Sequence, residues 1–291
     1  VRSNINTKFT ELFNAYDKIK EIGKKLDIEY VKRKKFSEDV FLPFFYHYFK
    51  KYANNNFGLS GYDYNVSPED VFEDVIKKGA NDLREEKDKA VEFVTEMVDS
   101  LETIASAFQN LLQDLEEQED VEELLRWQNP NVRTYHLLVA AKAEGELDPE
   151  LLKIIQILDM RLYKIHSSSA QANLYNEAIT KFKLGESINE IKDSLKDFVQ
   201  KYASNEATKQ RLEGSIYNQG ANGEKLILWK YAKDKYRFES PSEDPYEFYD
   251  ALDIEHIFPV AEESELDPKE FNFKDEEDYE GTIDKLGNLT L

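Results

Sequence analysis

Val91-Glu92-Phe93-Val94-Thr95-Glu96-Met97-Val98-Asp99-Ser100-Leu101-Glu102-Thr103-Ile104-Ala105-Ser106-Ala107-Phe108-Gln109-Asn110-Leu111-Leu112-Gln113-Asp114-Leu115 sets the fold class. Val91, Val94, Met97, Val98, Leu101, Ile104, Ala105, Phe108, Leu111, Leu112 and Leu115 follow one another in three- and four-residue steps, the period of an amphipathic helix. The pattern predicts one element from about Asp82 to Leu115, a rod of roughly 50 Å. A stripe of that length has to be covered, in a bundle or across an interface.

The same period extends outward on both sides. It predicts helices over Asn4 to about Leu26, from Ser37 through Tyr52, from about Val132, from Asp148, from Ser187, and over Glu224 to Lys235. Ser67-Pro68-Glu69-Asp70 is a helix start, with a capping hydroxyl and Pro in the first turn. Ser187-Ile188-Asn189-Glu190 fits a capping box. Asn54 to Gly61 reads as a loop by composition. After Tyr236 the character changes. Pro241 and Pro245 interrupt helix, acidic residues accumulate, and Leu252, Ile254, His256 and Phe258 alternate as in a strand. The reading is therefore mainly α: a multi-helix, bundle-like scaffold over residues 1–235, then a different domain over 236–291.

Composition limits the function classes. The 291 residues contain no cysteine, which excludes disulfides and thiolate metal sites and suits a cytoplasmic protein. No apolar run is long enough to span a membrane, and no signal peptide is visible. The net charge of −21 opposes long-range attraction to nucleic acid, most strongly from Glu239 to Glu280. Such a stretch reads first as a solvated acidic face; the alternatives are that DNA is gripped elsewhere, by another domain, or that metal ions offset the local acidity.

Three of the four histidines read as structural. His47 lies in Phe44-Phe45-Tyr46-His47-Tyr48-Phe49, where aromatics at helical spacing indicate core more readily than base stacking. His136 and His166 stand in helical context without acids at ligand spacing, and Trp127 and Trp229 read as core or interface anchors. His256 differs. In Asp253-Ile254-Glu255-His256-Ile257-Phe258-Pro259 an imidazole that can accept a proton near neutral pH stands beside a carboxylate suited to a hard cation such as Mg²⁺. Neighbours in a regular strand point to opposite faces, so convergence of Glu255 and His256 requires a departure from strand geometry. Asp253, on the same face as Glu255, is the alternative ligand. Further on, Ile283-Asp284-Lys285-Leu286-Gly287-Asn288-Leu289-Thr290-Leu291 places a Gly-Asn turn between apolar residues, with Asn288 able to fix the loop.

Together, Ile254-Glu255-His256-Ile257-Phe258-Pro259 and, about thirty residues later, Leu286-Gly287-Asn288-Leu289-Thr290-Leu291 resemble the HNH (His-Me finger) signature of the GmrSD-type modification-dependent restriction enzymes. Asn222-Gly223-Glu224-Lys225-Leu226-Ile227-Leu228-Trp229 resembles the helix that precedes that signature, so the specific likeness covers Asn222 to Leu291. The resemblance implies a partial ββα-metal hairpin in 236–291, a metal-dependent DNA endonuclease serving anti-phage defence, His256 as general base, Asn288 as the residue rigidifying the hairpin, and Glu255 as a ligand of Mg²⁺ or a similar cation. It implies modified DNA as substrate and an N-terminal nucleotide-triphosphate-dependent domain as partner; homo-oligomerisation is left open. On this reading the family's last metal ligand falls beyond Leu291 and the nucleotide-binding domain is absent. The expectation is an internal fragment, inactive alone. The competing readings are a non-catalytic helical interaction module, based on the Val91–Leu115 stripe, and an acidic DNA mimic, based on the charge.

Overall fold

The computed structural model describes residues 2–32, 41–58, 67–168, 171–214, 223–236, 244–257, 274 and 276–291. Its helices are α1 (Arg2–Lys25), α2 (Glu29–Lys32), α3 (Phe41–Phe57), α4 (Pro68–Asp70), α5 (Lys78–Asp82), α6 (Lys87–Gln113), α7 (Glu119–Glu122) and α8 (Val132–Ala143). They continue as α9 (Pro149–Leu158), α10 (Gln171–Lys183), α11 (Ile188–Tyr202), α12 (Asn205–Leu212), α13 (Gly223–Tyr236), α14 (Pro245–Ala251) and α15 (Glu276–Ile283). Strands β1 (Glu255–His256) and β2 (Leu289–Thr290) form a two-stranded antiparallel sheet. The protein is mainly α with a small β ladder, as the sequence patterns require.

The chain forms two compact units: Val1–Gln156 with Ala170–Leu195, and Ile157–Ser169 with Lys196–Leu291. The unit boundaries fall inside α9, after Ser169 and inside α11.

In the first unit α6 packs against α1, α3 and α8, while α10 covers α3 and α8. The rod is shorter than its sequence pattern. A break after Leu83 separates α5 from α6, and beyond Gln113 the chain tightens into a 3₁₀ turn over Asp114–Glu116. Met97, Val98, Leu101, Ile104, Phe108, Leu111 and Leu112 are buried, whereas Val91 is 48% exposed and the inward position is taken by Phe93. The stripe is thus consumed inside this unit, which removes the main argument for a bare interaction module. Lys8 of α1 reaches Asp99 and Glu102 of α6 at 3.1 and 3.0 Å.

Over one stretch helix α3 is buried on every side: Phe44, Phe45, Tyr46, His47, Tyr48 and Phe49 are consecutively inaccessible. A helix apolar all round has to be central. Phe44 stacks on Phe108 at 5.3 Å, and Tyr30 stacks on Tyr135 at 4.5 Å. His47 belongs to this core and not to a stacking surface; its ring lies 5.3 Å from that of His136, which meets Phe44 edge-on at 4.1 Å.

Local signals hold or fail for identifiable reasons. Ser67 and Asp70 form the reciprocal capping box, with the Ser67 hydroxyl accepting from Asp70 N at 3.1 Å and Asp70 accepting from Ser67 N at 2.9 Å. The proposed cap at Ser37 lies outside the described residues. Asn54, Asn55 and Asn56 are helical, because burial of Phe57 carries α3 past the polar run; the chain leaves the helix only at Gly58, whose φ of +68° suits glycine. Pro245 starts a helix rather than merely ending one, since it follows Asp244, whose carboxylate accepts from Tyr246 N. Among the described residues no helix is long and apolar enough to cross a membrane.

Two predictions follow from this packing. A Cβ built on Gly23 would lie 2.6 Å from Val31 Cβ, where α1 meets α2. Gly23→Ala is expected to destabilise by about 1–3 kcal/mol despite the better helix propensity of Ala, as read by denaturant unfolding. The second concerns pH. Burial, aided by Lys50 and Arg133, lowers His47 to about 4; burial, with His47 and Arg133, holds His136 well below its ordinary value. The unfolded chain therefore takes up more protons than the folded one at mildly acid pH. Stability is complete above about pH 6.5, the unfolded His value, and is lost as pH falls from there. Thermal melting should drop over that interval, and the double variant His47→Leu, His136→Leu should flatten the dependence.

Candidate active site

Helix α13 precedes the C-terminal motif and anchors the helix that leads into it. Trp229 is 3% exposed and packs on Phe248 and Tyr249 of α14 at 6.1 and 5.6 Å. Lys225 lies 4.8 Å over the Tyr249 ring and donates to the Asp250 carbonyl at 3.0 Å. Burial lowers the Lys225 ammonium pKa, opposed by the charges of Asp250 and Asp253. These contacts fix α14 on α13 and set the direction in which the chain leaves Ala251.

From there the backbone is extended. Burial alternates residue by residue: Asp253, Glu255 and Ile257 are exposed, while Ile254 and His256 are half-buried. The expected strand is real but short; its ladder comprises only Glu255↔Thr290 and His256↔Leu289. Ile257 N adds one more bond, to the Asn288 carbonyl at 2.8 Å. Phe258 and Pro259 lie outside the described residues, as does most of the acidic run up to Glu280.

The facing segment descends from α15. Lys285 N donates to Thr282 O at 3.0 Å and Asn288 N to Lys285 O at 2.9 Å, so the chain turns twice before β2. Leu286–Asn288 is a 3₁₀ turn. Asn288 is 2% exposed and Leu289 4%, which seats this loop firmly. Asn288 therefore stands one residue before Leu289, the partner of His256, and its backbone is bonded both to its own turn and to Ile257 N just after β1.

Regular pairing keeps Glu255 and His256 on opposite faces, so the structure does not bring these neighbours together. Asp253 shares the exposed side with Glu255. What meets His256 is Asp284: Nε2 lies 3.4 Å from Asp284 Oδ1, with side-chain exposures of 13% and 41%. Asp284 stands inside the quoted C-terminal stretch, yet no short-range period could mark it, because the pairing spans 28 residues.

Among the described residues no group of three His, Asp or Glu side chains could hold a metal ion. The exposed oxygen donors Asp253 and Glu255 nonetheless suit Mg²⁺, which is commonly held by one or two carboxylates with waters and substrate phosphate completing its shell. His166 takes no part: it ends the π-helical segment Asp159–Ile165, and burial lowers its pKa with help from Arg211.

Residues 188–291 match the family model for the C-terminal domain of the GmrSD restriction endonucleases. This supports the family assignment made from the Glu255-His256 and Gly287-Asn288 motifs. The GmrSD match begins earlier than the motif-based likeness at Asn222, and takes in α11 to α15 as well as both strands. No curated protein and no solved structure matches the chain.

Gly287 offers a test of the loop. It is exposed, its added Cβ would meet nothing within 4 Å, and it is not among the positive-φ glycines. Gly287→Ala should change stability by no more than about 0.5 kcal/mol in denaturant unfolding, as at an ordinary surface position. A large loss would show that the turn depends on a glycine-only conformation.

Proposed function

We propose that the C-terminal unit contributes to an HNH, metal-dependent DNA endonuclease of the modification-dependent restriction type, acting in cytoplasmic anti-phage defence. One observation carries the reading: within a segment matching GmrSD endonucleases, His256 is held half-buried at the end of β1, in register with Leu289, the residue that follows Asn288.

The chemistry asked of the chain is proton abstraction at a fixed place. The His256 imidazole takes a proton from a water molecule as the water oxygen bonds to phosphorus and the phosphorus–oxygen bond to the leaving group breaks. The leaving oxygen is protonated from solvent, and the imidazolium returns its proton to solvent. Buried Asn288 keeps the loop in register, so the imidazole does not have to be ordered during reaction. Glu255, with Asp253 as the alternative, would hold a Mg²⁺-type cation, which when bound supplies Lewis-acid stabilisation of the phosphoryl charge; because the ladder turns these carboxylates away from His256, sharing one phosphate requires the chain to leave strand geometry at Glu255. The carboxylates around β1 also repel the DNA backbone, so productive binding needs cations at this surface.

In the architecture of the resembled enzymes, the helical unit would link a nucleotide-dependent N-terminal domain to the nuclease, with modified DNA as substrate. Homo-oligomerisation is compatible with this arrangement and is not needed by the site.

The test is cleavage of modified and unmodified DNA by the full natural protein with Mg²⁺ or Mn²⁺. His256→Ala is expected to lower the rate by about 10²–10⁴-fold, the usual contribution of a general base. Unchanged cutting by this variant would sink the assignment.

A further inference from the structure

We infer that Asp284 is the positioning residue for His256, its carboxylate accepting the Nε2–H so that Nδ1 becomes the proton-accepting atom. The inference rests on the nuclease reading above and adds a residue to it.

Three observations carry it. The first is contact: Nε2 and Asp284 Oδ1 are 3.4 Å apart, although the residues are 28 positions apart in sequence. The second is that both partners are fixed through one frame. His256 is set by its register against Leu289, and Asp284 by the turns that close Lys285 on Thr282 and Asn288 on Lys285. The third is that Glu255, the acid nearest in sequence, cannot take this role, because the ladder turns it to the exposed face.

The chemical consequence follows from imidazole itself. A neutral ring has one N–H and one lone pair, and the hydrogen bond made by one nitrogen settles which atom keeps the lone pair. A carboxylate can only accept, so it selects the tautomer protonated at Nε2. When Nδ1 takes the proton of water, the ring becomes a cation while still bonded to Asp284, and the pair is a charge-assisted one. At 41% side-chain exposure Asp284 is partly solvated, so its effect is on ring orientation and tautomer more than on overall stability.

The experiment compares DNA cleavage by the full natural protein and its Asp284→Ala, Asp284→Asn, His256→Ala and Asp284→Ala/His256→Ala variants. It also records long-range ¹H–¹⁵N spectra of the His256 ring in the wild type and in Asp284→Ala. The expected result is an approximately ten- to hundredfold fall in kcat for Asp284→Ala with KM changed less than about twofold. Asp284→Asn, which keeps an accepting oxygen, should recover part of the rate. Asp284→Ala should add nothing to the loss caused by His256→Ala, and the spectrum should lose its preference for the Nε2-protonated form. Wild-type kcat in Asp284→Ala beside an inactive His256→Ala overturns the positioning role and leaves the base in place. Losses that add fully also overturn it, since they reveal a structural effect independent of the ring. Normal cutting by His256→Ala overturns the assignment of His256 as base, and this inference with it, whereas absence of cutting by the wild-type protein overturns the nuclease reading itself.

Discussion

Everything at the C-terminal site depends on a very small piece of sheet. Two rungs, Glu255↔Thr290 and His256↔Leu289, with the added bond from Ile257 N to Asn288 O, join segments that the sequence separates by α15 and a long acidic run. A two-stranded ladder of this length is not stable by itself. It persists because the segments on either side are anchored. On one side Trp229 and Lys225 clasp α14 and so direct the chain into β1. On the other, Asn288 and Leu289 are buried. The register of that ladder determines that His256 faces Asp284 while Glu255 faces solvent; a slip of one residue would exchange them.

The helical unit follows a different logic. Its stability is concentrated in α3, a run of aromatic side chains with no solvent face, and in the stripe of α6 that covers it. Two uncharged imidazoles, His47 and His136, are part of this packing. Their burial is tolerated while they remain neutral and becomes costly when they must charge. The same residue type thus serves as core filler in one unit and as proton acceptor in the proposed reading of the other. The difference is access: His256 is only half-buried and has a carboxylate in reach.

The acidic character of the chain bears on both. A net charge of −21 cannot attract DNA at a distance, so the proposed nuclease depends on cations near β1 or on DNA held by another part of the protein. Asp253 and Glu255, on one exposed side, are the groups through which such a cation would be felt.

Helical periodicity determined most of the architecture directly from sequence, because a face buried at every third or fourth residue leaves a local record. The capping box at Ser67 and the starts of α8, α9 and α13 are local in the same sense. The motif around His256 and Asn288 was also legible, as residue types in order. What only the tertiary structure decided was non-local. Phe93 rather than Val91 points inward, the asparagines before Gly58 remain helical because Phe57 is buried, and Asp284 meets His256 while Glu255 turns away. Each of these depends on what lies across from a residue and not on what stands next to it, and side-chain period and turn chemistry carry no information about a partner 28 positions away.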